Sequence, residues 1–195
     1  MLAKKMSIML SVAAVSADSL EDKIMARTSK KDFSALFPHA ATKGSSNDEF
    51  YSQYSTERIV DDYIKQGMAT HEVIRNLIED CIKNRTDIII EGHQITPKNV
   101  RRMIDLHGKE KIRSILLLKK DKVKIAADFH KSQTPDDWIL RKTKNPGTFL
   151  KIAQMISAYS KHFESEANTY ELNSIQMDED FDAKINKAIE ILRKF

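Results

Sequence analysis

Two acidic residues follow apolar stretches that have the length of β-strands. Glu91 comes directly after Ile88-Ile89-Ile90, and Asp18 comes directly after the stretch 12–17. Three consecutive isoleucines do not alternate with polar residues, so they predict a strand that is buried on both faces of a parallel sheet. Ligands of open α/β sheets bind outside the carboxyl ends of the strands, where both acids would lie. Glu91 is equally well explained as a solvated acid at a strand end.

The residues after Glu91 predict a bend that carries polar side chains. Gly92 marks the bend, and His93 and Gln94 follow it. No second histidine stands at metal-ligand spacing from His93, so we interpret His93 as a turn or pocket residue rather than a metal ligand. The single cysteine, Cys81, excludes an internal disulfide framework and a paired-cysteine metal site.

Composition limits the class of protein. The 195 residues, 41% hydrophobic and 31% charged, suffice for one globular domain with a core, 1–195. The formal charge of +4 is spread along the chain without arginine-rich blocks, so nucleic-acid binding is not expected. No apolar run is long enough to span a membrane, and the start lacks the hydrophobic block of a signal peptide. We expect a cytoplasmic protein with no membrane partner and an oligomeric state that the sequence leaves open.

Apolar spacing predicts strands that alternate with helices. Such alternation is typical of a parallel α/β sheet. Segment 121–166 is a candidate helical lid over one end of the sheet. The predicted strands are 12–17, 88–90, 112–118 and 170–172. The predicted helices are 1–10, 19–31, 48–66, 70–84, 97–106, 121–131, 146–166 and a terminal helix through 181–192, with the break between 48–66 and 70–84 at Gly67. A further helix is predicted to start at Thr134, which would be its N-cap, with Pro135 at the first helical position.

Several stretches together are similar to the 2-phosphoglycerate kinases and related P-loop kinases. Val15-Ser16-Ala17-Asp18-Ser19-Leu20 resembles that family's Ser-Thr-Asp-Ser-Ile-Arg strand end. The stretch 89–97, Ile-Ile-Glu-Gly-His-Gln-Ile-Thr-Pro, resembles its Ile-Ile-Glu-Gly-Val-His-Leu-Val-Pro segment. The stretches 152–156 and 170–192 resemble its last third. The resemblance covers nearly the whole chain and implies a three-layer αβα fold with a mostly parallel sheet.

One defining part of that family is missing from this sequence. The family opens with a strand and a Gly-rich P-loop that ends in Gly-Lys-Ser/Thr. None of the five glycines here is followed by Lys-Ser or Lys-Thr. Met1–Met6 resembles the helix that follows the loop, so we expect Met1 not to be the ancestral start, with the N-terminal strand and the P-loop missing. The resemblance puts the absent strand between the strand that ends at Glu91 and the strand 112–118. These two strands should flank a gap or collapse on one another, and finding them in separate sheets, or joined as an antiparallel hairpin, would contradict the fold.

The resemblance implies a role for each candidate site residue. Asp18 would orient the acceptor hydroxyl or act as a base, and Glu91 would contact magnesium through water or help to set the substrate. Arg141, Lys142 and Lys144 would belong to the lid and neutralise charge on the transferred phosphoryl group, with Arg141 catalytic and the two lysines binding the substrate. Simpler explanations stay open: Asp18 as a helix N-cap, and 141–144 as a solvated helix end.

The remaining implied roles concern the substrate and the nucleotide. His93 and Gln94 would bind the substrate, although the family's histidine corresponds to Gln94 and not to His93. Asn173 would follow the last strand, where the family's adenine rests. The family's arginine after Asp-Ser-Ile is absent, since Glu21 and Asp22 stand there.

The function expected from these features is phosphoryl transfer from ATP to a small phosphorylated acceptor such as 2-phosphoglycerate. ATP and Mg²⁺ are the expected cofactors of an intact member, and no metal is expected to be ligated directly here. Without a P-loop we expect this chain to be inactive and to bind ATP weakly or not at all. The alternatives are a kinase for another small acceptor, or a non-catalytic relative that binds a metabolite or a protein.

Overall fold

The computed structural model describes residues 1–131 and 137–193. Within them the chain forms helices α1–α12 and strands β1–β4. In chain order these are α1 Leu2–Leu10, β1 Ala13–Ser16, α2 Ala17–Met25, α3 Lys30–Leu36, α4 Pro38–Thr42, α5 Asn47–Gln53, α6 Thr56–Met68, α7 His71–Asn84, β2 Ile88–Glu91, α8 Pro97–His107, β3 Leu116–Leu118, α9 Lys122–Phe129, α10 Trp138–Lys142, α11 Pro146–Thr169, β4 Ser174–Gln176 and α12 Phe181–Arg193.

The strands form two separate parallel pairs. β1 pairs with β2 in a register that puts Ser16 opposite Glu91, and β3 pairs with β4 in a register that puts Leu118 opposite Gln176. Parallel pairing needs a long crossover, which the intervening helices supply. The prediction of a mixed α/β chain with parallel strands is confirmed.

The two pairs of strands meet at one hydrophobic cluster. Met6 of α1, Ile175 of β4 and Ile185 of α12 belong to this cluster, and Ile89 of β2 and Ile115 before β3 pack against it. β2 and β3 nevertheless lie in different sheets, which is the arrangement expected to contradict the P-loop-kinase fold that the resemblance implies. This arrangement is a pair of short ladders that share a core, and not one continuous sheet.

A second cluster joins the helices. It contains Phe50 and Ile59 from α5 and α6, Phe129 from α9, and Ile152 and Met155 from α11. The predicted lid segment 121–166 therefore supplies central core residues through α9 and α11. A helix that contributes to the core in this way stabilises the fold rather than only covering it.

Local capping explains where several helices begin. Pro97 and Pro146 occupy first-turn positions, and the Thr96 and Asn145 side chains before them accept backbone N–H groups. Asp121 accepts the amides of Val123 and Lys124 at the start of α9. The predicted helix starts at Pro97 and Pro146 are confirmed by these caps.

The strands are less buried than predicted, and β1 and β3 are shorter. Ile88–Ile90 are half-buried and Ala13 and Ala14 are exposed. The strand predicted at 112–118 is formed only at Leu116–Leu118. The strand predicted at 170–172 is wrong, since the last strand is Ser174–Gln176.

Several helix boundaries also differ from the predictions. The helix predicted over 19–31 is divided into α2 and α3, and the one over 48–66 into α5 and α6. Gly67 does not break α6, which continues to Met68, and α9 ends at Phe129. The predicted cap at Thr134 and Pro135 lies outside the described residues. No helix in the described part of the chain is long and apolar enough to cross a membrane.

Candidate functional site

The carboxyl ends of β1 and β2 lie side by side at one edge of their sheet. Ser16 and Glu91 are the last residues of the two strands and are paired in register. Asp18 stands in the first turn of α2, directly after β1. His93 and Gln94 follow β2. The predicted site residues that follow these two strands are therefore brought to the same place.

Asp18 is held by both residues that follow the bend. Gln94 Nε2 donates to Asp18 Oδ1 at 2.7 Å, and His93 Nδ1 lies 3.3 Å from the same oxygen. The hydrogen bond from His93 lowers the pKa of Asp18 below its ordinary value, burial opposes this shift, and the bond from Gln94 adds to it. Asp18 is consequently a carboxylate at neutral pH. We name Asp18, His93 and Gln94 the Asp18 site.

The loop that carries His93 and Gln94 is tightly fixed. Gln94 is fully buried, and its carbonyl oxygen lies 3.1 Å from His71 Nε2. Gly92 adopts φ +152°, where a Cβ would come within 2.5 Å of Ala17 Cβ and 2.6 Å of Gln94 Oε1. Only glycine therefore fits this bend, because a side chain would push the loop away from α2.

Aromatic rings form one wall of the Asp18 site. The His93 ring lies edge-on to Tyr63, with centroids 5.2 Å apart, and 6.1 Å from Tyr159. The Tyr159 hydroxyl donates to the His93 carbonyl at 2.8 Å. Burial raises the pKa of Tyr63 and of Tyr159, so both hydroxyls stay protonated at neutral pH.

A second carboxylate, Glu21, lies beneath the site. It stands three residues after Asp18 on α2, and residues at this spacing share a helix face. Glu21 is 6% exposed, and its Oε2 accepts from Gln66 Nε2 at 3.1 Å. Its Oε1 has no hydrogen-bond partner among residues 1–131 and 137–193. Sequence reasoning missed this role, although the spacing from Asp18 could have indicated it.

A buried histidine extends the aromatic wall into the core. His39 stacks on Tyr63 with ring centroids 3.9 Å apart and is 3% exposed. Neither ring nitrogen has a partner within the described residues. Burial lowers the pKa of His39 to about 3, and the charges of Lys43 and His93 act in the same direction. His39 is thus a neutral ring at neutral pH.

The Glu91 carboxylate is not part of the Asp18 site. Glu91 is an exposed residue at the end of β2. The described residues contain no group of three or more His, Cys, Asp or Glu side chains that could hold a metal ion. Glu91 could therefore offer magnesium a single carboxylate, which is fewer protein ligands than an all-protein cage uses.

The predicted lid cations lie on α10 and the segment after it. Arg141 and Lys144 are exposed and Lys142 is half-buried. The amide of Lys144 donates to Asp48 Oδ2 at 2.9 Å, which ties this segment to α5. No hydrogen bond or ion pair in the described part of the chain joins Lys142 or Lys144 to Asp18 or Glu91. The prediction that they act at the site is therefore not supported by a direct contact.

Among the described residues, Lys142 is connected to the site through its charge. It lies near Lys43, whose pKa is lowered to about 8 by burial and then by the Lys142 charge. Lys43 Nζ sits 3.6 Å from the centre of the Trp138 ring. Lys43 in turn acts on His39, which is stacked on the aromatic wall.

Asn173 is at the opposite end of its strand from the predicted position. It precedes β4 and its carbonyl accepts from Leu116 N at 3.0 Å. The prediction that it follows the last strand is wrong, because Tyr170–Leu172 forms the turn after α11 instead of a strand. The amide of Leu172 bonds back to Ala167 O within that helix end.

An open cleft lies apart from the Asp18 site. Its volume is about 480 Å³, and it is lined by the starts of α6 and α9 and by α11. Lys120, Lys122 and Lys161 contribute its positive charges, and Lys120 is already bound to Glu164 at 2.6 Å. None of the sequence-predicted site residues lines it.

Comparisons of this chain with protein-family models, with curated proteins and with solved structures give no match.

Proposed function

We propose that this chain is a small-molecule kinase-like protein whose Asp18 site holds the hydroxyl of a small acceptor. The observation that carries the proposal is the convergence of His93 and Gln94 on the Asp18 carboxylate at the adjacent ends of two parallel strands. Acceptor hydroxyls must be oriented toward the transferred phosphoryl group, and a fixed carboxylate does this by accepting the hydroxyl proton in a hydrogen bond.

We propose a three-layer αβα, P-loop-kinase-like domain as the finer fold. The parallel direction of both strand pairs supports it, and the separation of β2 and β3 into two sheets counts against it. Both strand pairs are parallel, and Ile89 of β2 packs against the cluster that contains Ile175 of β4, whereas β2 and β3 do not pair. One further parallel strand between β2 and β3 would join the pairs into a single sheet. The resemblance of 15–20 and 89–97 to 2-phosphoglycerate kinases implies the same strand order, with one strand between β2 and β3.

The charge state of Asp18 favours an orienting role over proton abstraction. A carboxylate whose pKa is lowered by His93 and Gln94 is a weak base. Phosphoryl transfer through a loose transition state needs little basic assistance and depends mainly on positioning. Asp18 would align the acceptor oxygen, and His93 would keep the carboxylate in place.

ATP and Mg²⁺ are not well matched by the residues of this chain. None of its five glycines is followed by Lys-Ser or Lys-Thr, and Glu91 is a lone acid at the β2 end. The proposal therefore gives the Asp18 site the binding of the acceptor. It gives none of these residues a role in binding the nucleotide.

A grafted loop tests the proposal. A chimera with an apolar strand and a Gly-x-x-x-x-Gly-Lys-Ser loop before Leu2 is given Mg-ATP and a panel of small hydroxyl compounds that includes 2-phosphoglycerate. We expect phosphoryl transfer that falls about a hundredfold in Asp18→Asn, because one aligned charged group is lost. Asp22→Asn, with the same charge change on the same helix, is the matched control and should keep its turnover.

Two results would contradict the proposal. One is a folded chimera that binds ATP and transfers phosphate to no compound in the panel. The other is equal turnover in Asp18→Asn and Asp22→Asn.

A second candidate is a non-catalytic relative that binds a metabolite at the Asp18 site. The missing Gly-Lys-Ser/Thr sequence favours it. Acceptor binding that depends on Asp18, in a chimera without turnover, would select this candidate.

A further inference from the structure

A groove with a volume of about 330 Å³ lies between α2 and α7. Side chains of these two helices and of the turn that follows α2 line it: Leu20, Lys23, Ile24, Arg27, Thr28 and Val73. We name it the α2–α7 groove. None of the residues of the Asp18 site lines it.

One stripe of α2 forms most of the groove. Leu20, Lys23 and Ile24 stand at positions i, i+3 and i+4 of this helix, and Arg27 follows at i+7. The Arg27 amide donates to the Ile24 carbonyl at 3.0 Å, so the chain keeps turning past the end of the helix. Residues at this spacing lie on one face of a helix. From Leu20 to Arg27 the stripe is about 10 Å long, which is the length of two helical turns.

The middle of the groove is apolar and partly open to water. Val73 is 39% exposed, and Leu20 and Ile24 are half-buried. In the described part of the chain these three side chains belong to neither of the two core clusters. Their burial by a partner would be favourable, at about 25 cal/mol per Å² of apolar surface removed from water.

The rim of the groove is positively charged. Lys23 and Arg27 are exposed and stand one helical turn apart. Neither side chain has a hydrogen bond or an ion pair with any residue in 1–131 or 137–193. The acids next to lining residues, Asp22 and Glu72, do not pair with them either. The two cations are therefore available to carboxylates of a partner.

We propose that the α2–α7 groove docks an acidic amphipathic helix of another protein. Apolar side chains at i, i+3 and i+7 of that helix would contact Leu20, Ile24 and Val73, as in other complexes in which a helix lies in a groove. Acidic side chains beside this apolar stripe would pair with Lys23 and Arg27. This interaction surface goes beyond the proposed function and does not depend on it.

Charge selects this occupant over a second copy of the chain and over a lipid surface. Each copy has a formal charge of +4, so two copies repel each other, whereas an acidic partner is attracted. Segments that bind anionic lipids use clusters of about four to eight lysines and arginines, and this groove presents two.

Synthetic peptides test the proposal on the unmodified chain. The probe is a fluorescein-labelled helical peptide of about 18 residues, long enough to form a helix, with a leucine stripe flanked by glutamates. A second peptide has glutamine in place of every glutamate. We expect fluorescence anisotropy at pH 7 and low salt to show about tenfold tighter binding of the glutamate peptide, because two exposed ion pairs are added. Added salt should reduce this difference.

Variants then locate the contact. Lys23→Gln combined with Arg27→Gln should abolish the preference for the glutamate peptide. Lys30→Gln combined with Lys31→Gln, which removes two exposed lysines of α3, is the matched control and should keep it. Val73→Glu should weaken binding of the glutamate peptide at least about tenfold, since it puts a charge against the leucine stripe. Val123→Glu, at an exposed position of α9, is its control and should bind normally. Circular-dichroism melting confirms that the variants are folded.

Several results would overturn the proposal. Equal affinity for the two peptides, binding of neither, or a preference that survives the Lys23 and Arg27 double variant each does so. A dimer in sedimentation that is lost in Val73→Glu would assign the groove to a second copy instead. Binding to phosphatidylserine vesicles that is lost in Val73→Glu would assign it to a lipid surface. Turnover in the chimera decides the proposed function separately from all of these results.

Discussion

Acid should destabilise the fold through His39, and His39→Phe should remove much of that sensitivity. The His39 ring is 3% exposed, stacked on Tyr63 at 3.9 Å and edge-on to Phe50 at 5.2 Å. Phenylalanine has nearly the same ring shape and fits these contacts. It lacks the two nitrogens, neither of which has a partner in residues 1–131 and 137–193.

The sign and size of the effect follow from the two pKa values. In the unfolded chain His39 takes up a proton below its ordinary pKa of 6.5, whereas in the folded protein burial keeps the ring neutral down to about 3. The unfolded state therefore binds more protons between these values, and stability falls as the pH decreases from 6.5. One proton gives a slope of about 1.4 kcal/mol per pH unit, or roughly 2 kcal/mol between pH 6.5 and 5.

The assay is urea unfolding followed by circular dichroism at pH 7, 6 and 5. We expect the free energy of unfolding of His39→Phe to decrease less than that of the unmodified protein, by about 2 kcal/mol over this range. At pH 7 the variant should be at least as stable, because two unpartnered buried nitrogens are removed. His130→Phe, at an exposed position, is the control and should keep the original slope. Equal slopes in His39→Phe and the unmodified protein would refute this reasoning.

Two further predictions concern the bend and the nucleotide. Gly92→Ala should lower the free energy of unfolding in urea by roughly 3 kcal/mol more than Gly44→Ala does. Both glycines have positive φ, but only Gly92 would place a Cβ within 2.5 Å of Ala17. A difference below about 0.5 kcal/mol would count against the tight bend. Calorimetry with Mg-ATP on the unmodified chain should show very weak binding or none, since the phosphate-cradling amides and lysine of a P-loop are missing. Micromolar affinity would contradict this.

The meeting of Asp18 with His93 and Gln94 could be predicted because strand direction determines it. Parallel strands bring their carboxyl ends to one edge, so residues just past two such ends become neighbours. Glu21 required a second step, the three-residue helical spacing from Asp18, which becomes visible only once α2 is known to start at Ala17.

Other features depend on contacts between segments that are distant in sequence. The helical pattern of 48–66 places Tyr63 among its apolar positions, and only the packing against His39 and His93 shows that it forms a wall of the site. The sequence predicts that Ile88–Ile90 are buried on both faces of the sheet, but they are half-buried in the structure. Their burial depends on which helices cover each face of the sheet, and the three residues do not specify this.

The misplacement of Asn173 has a local cause. Tyr170-Glu171-Leu172 alternates apolar and polar residues as a strand does, yet Glu171 adopts φ +53° and the segment ends α11. A left-handed residue at a helix end is common, but a glutamate gives no signal of it in the sequence.

The central claim is that a small molecule binds where Asp18 meets His93 and Gln94, and NMR mapping of the ligand contacts tests it most directly. With 2-phosphoglycerate titrated into isotope-labelled protein, the largest shift changes should occur at Asp18, His93 and Gln94, and they should disappear in Asp18→Asn. Shift changes concentrated at Lys120, Lys122 and Lys161 around the open cleft, and unaffected by Asp18→Asn, would contradict the account.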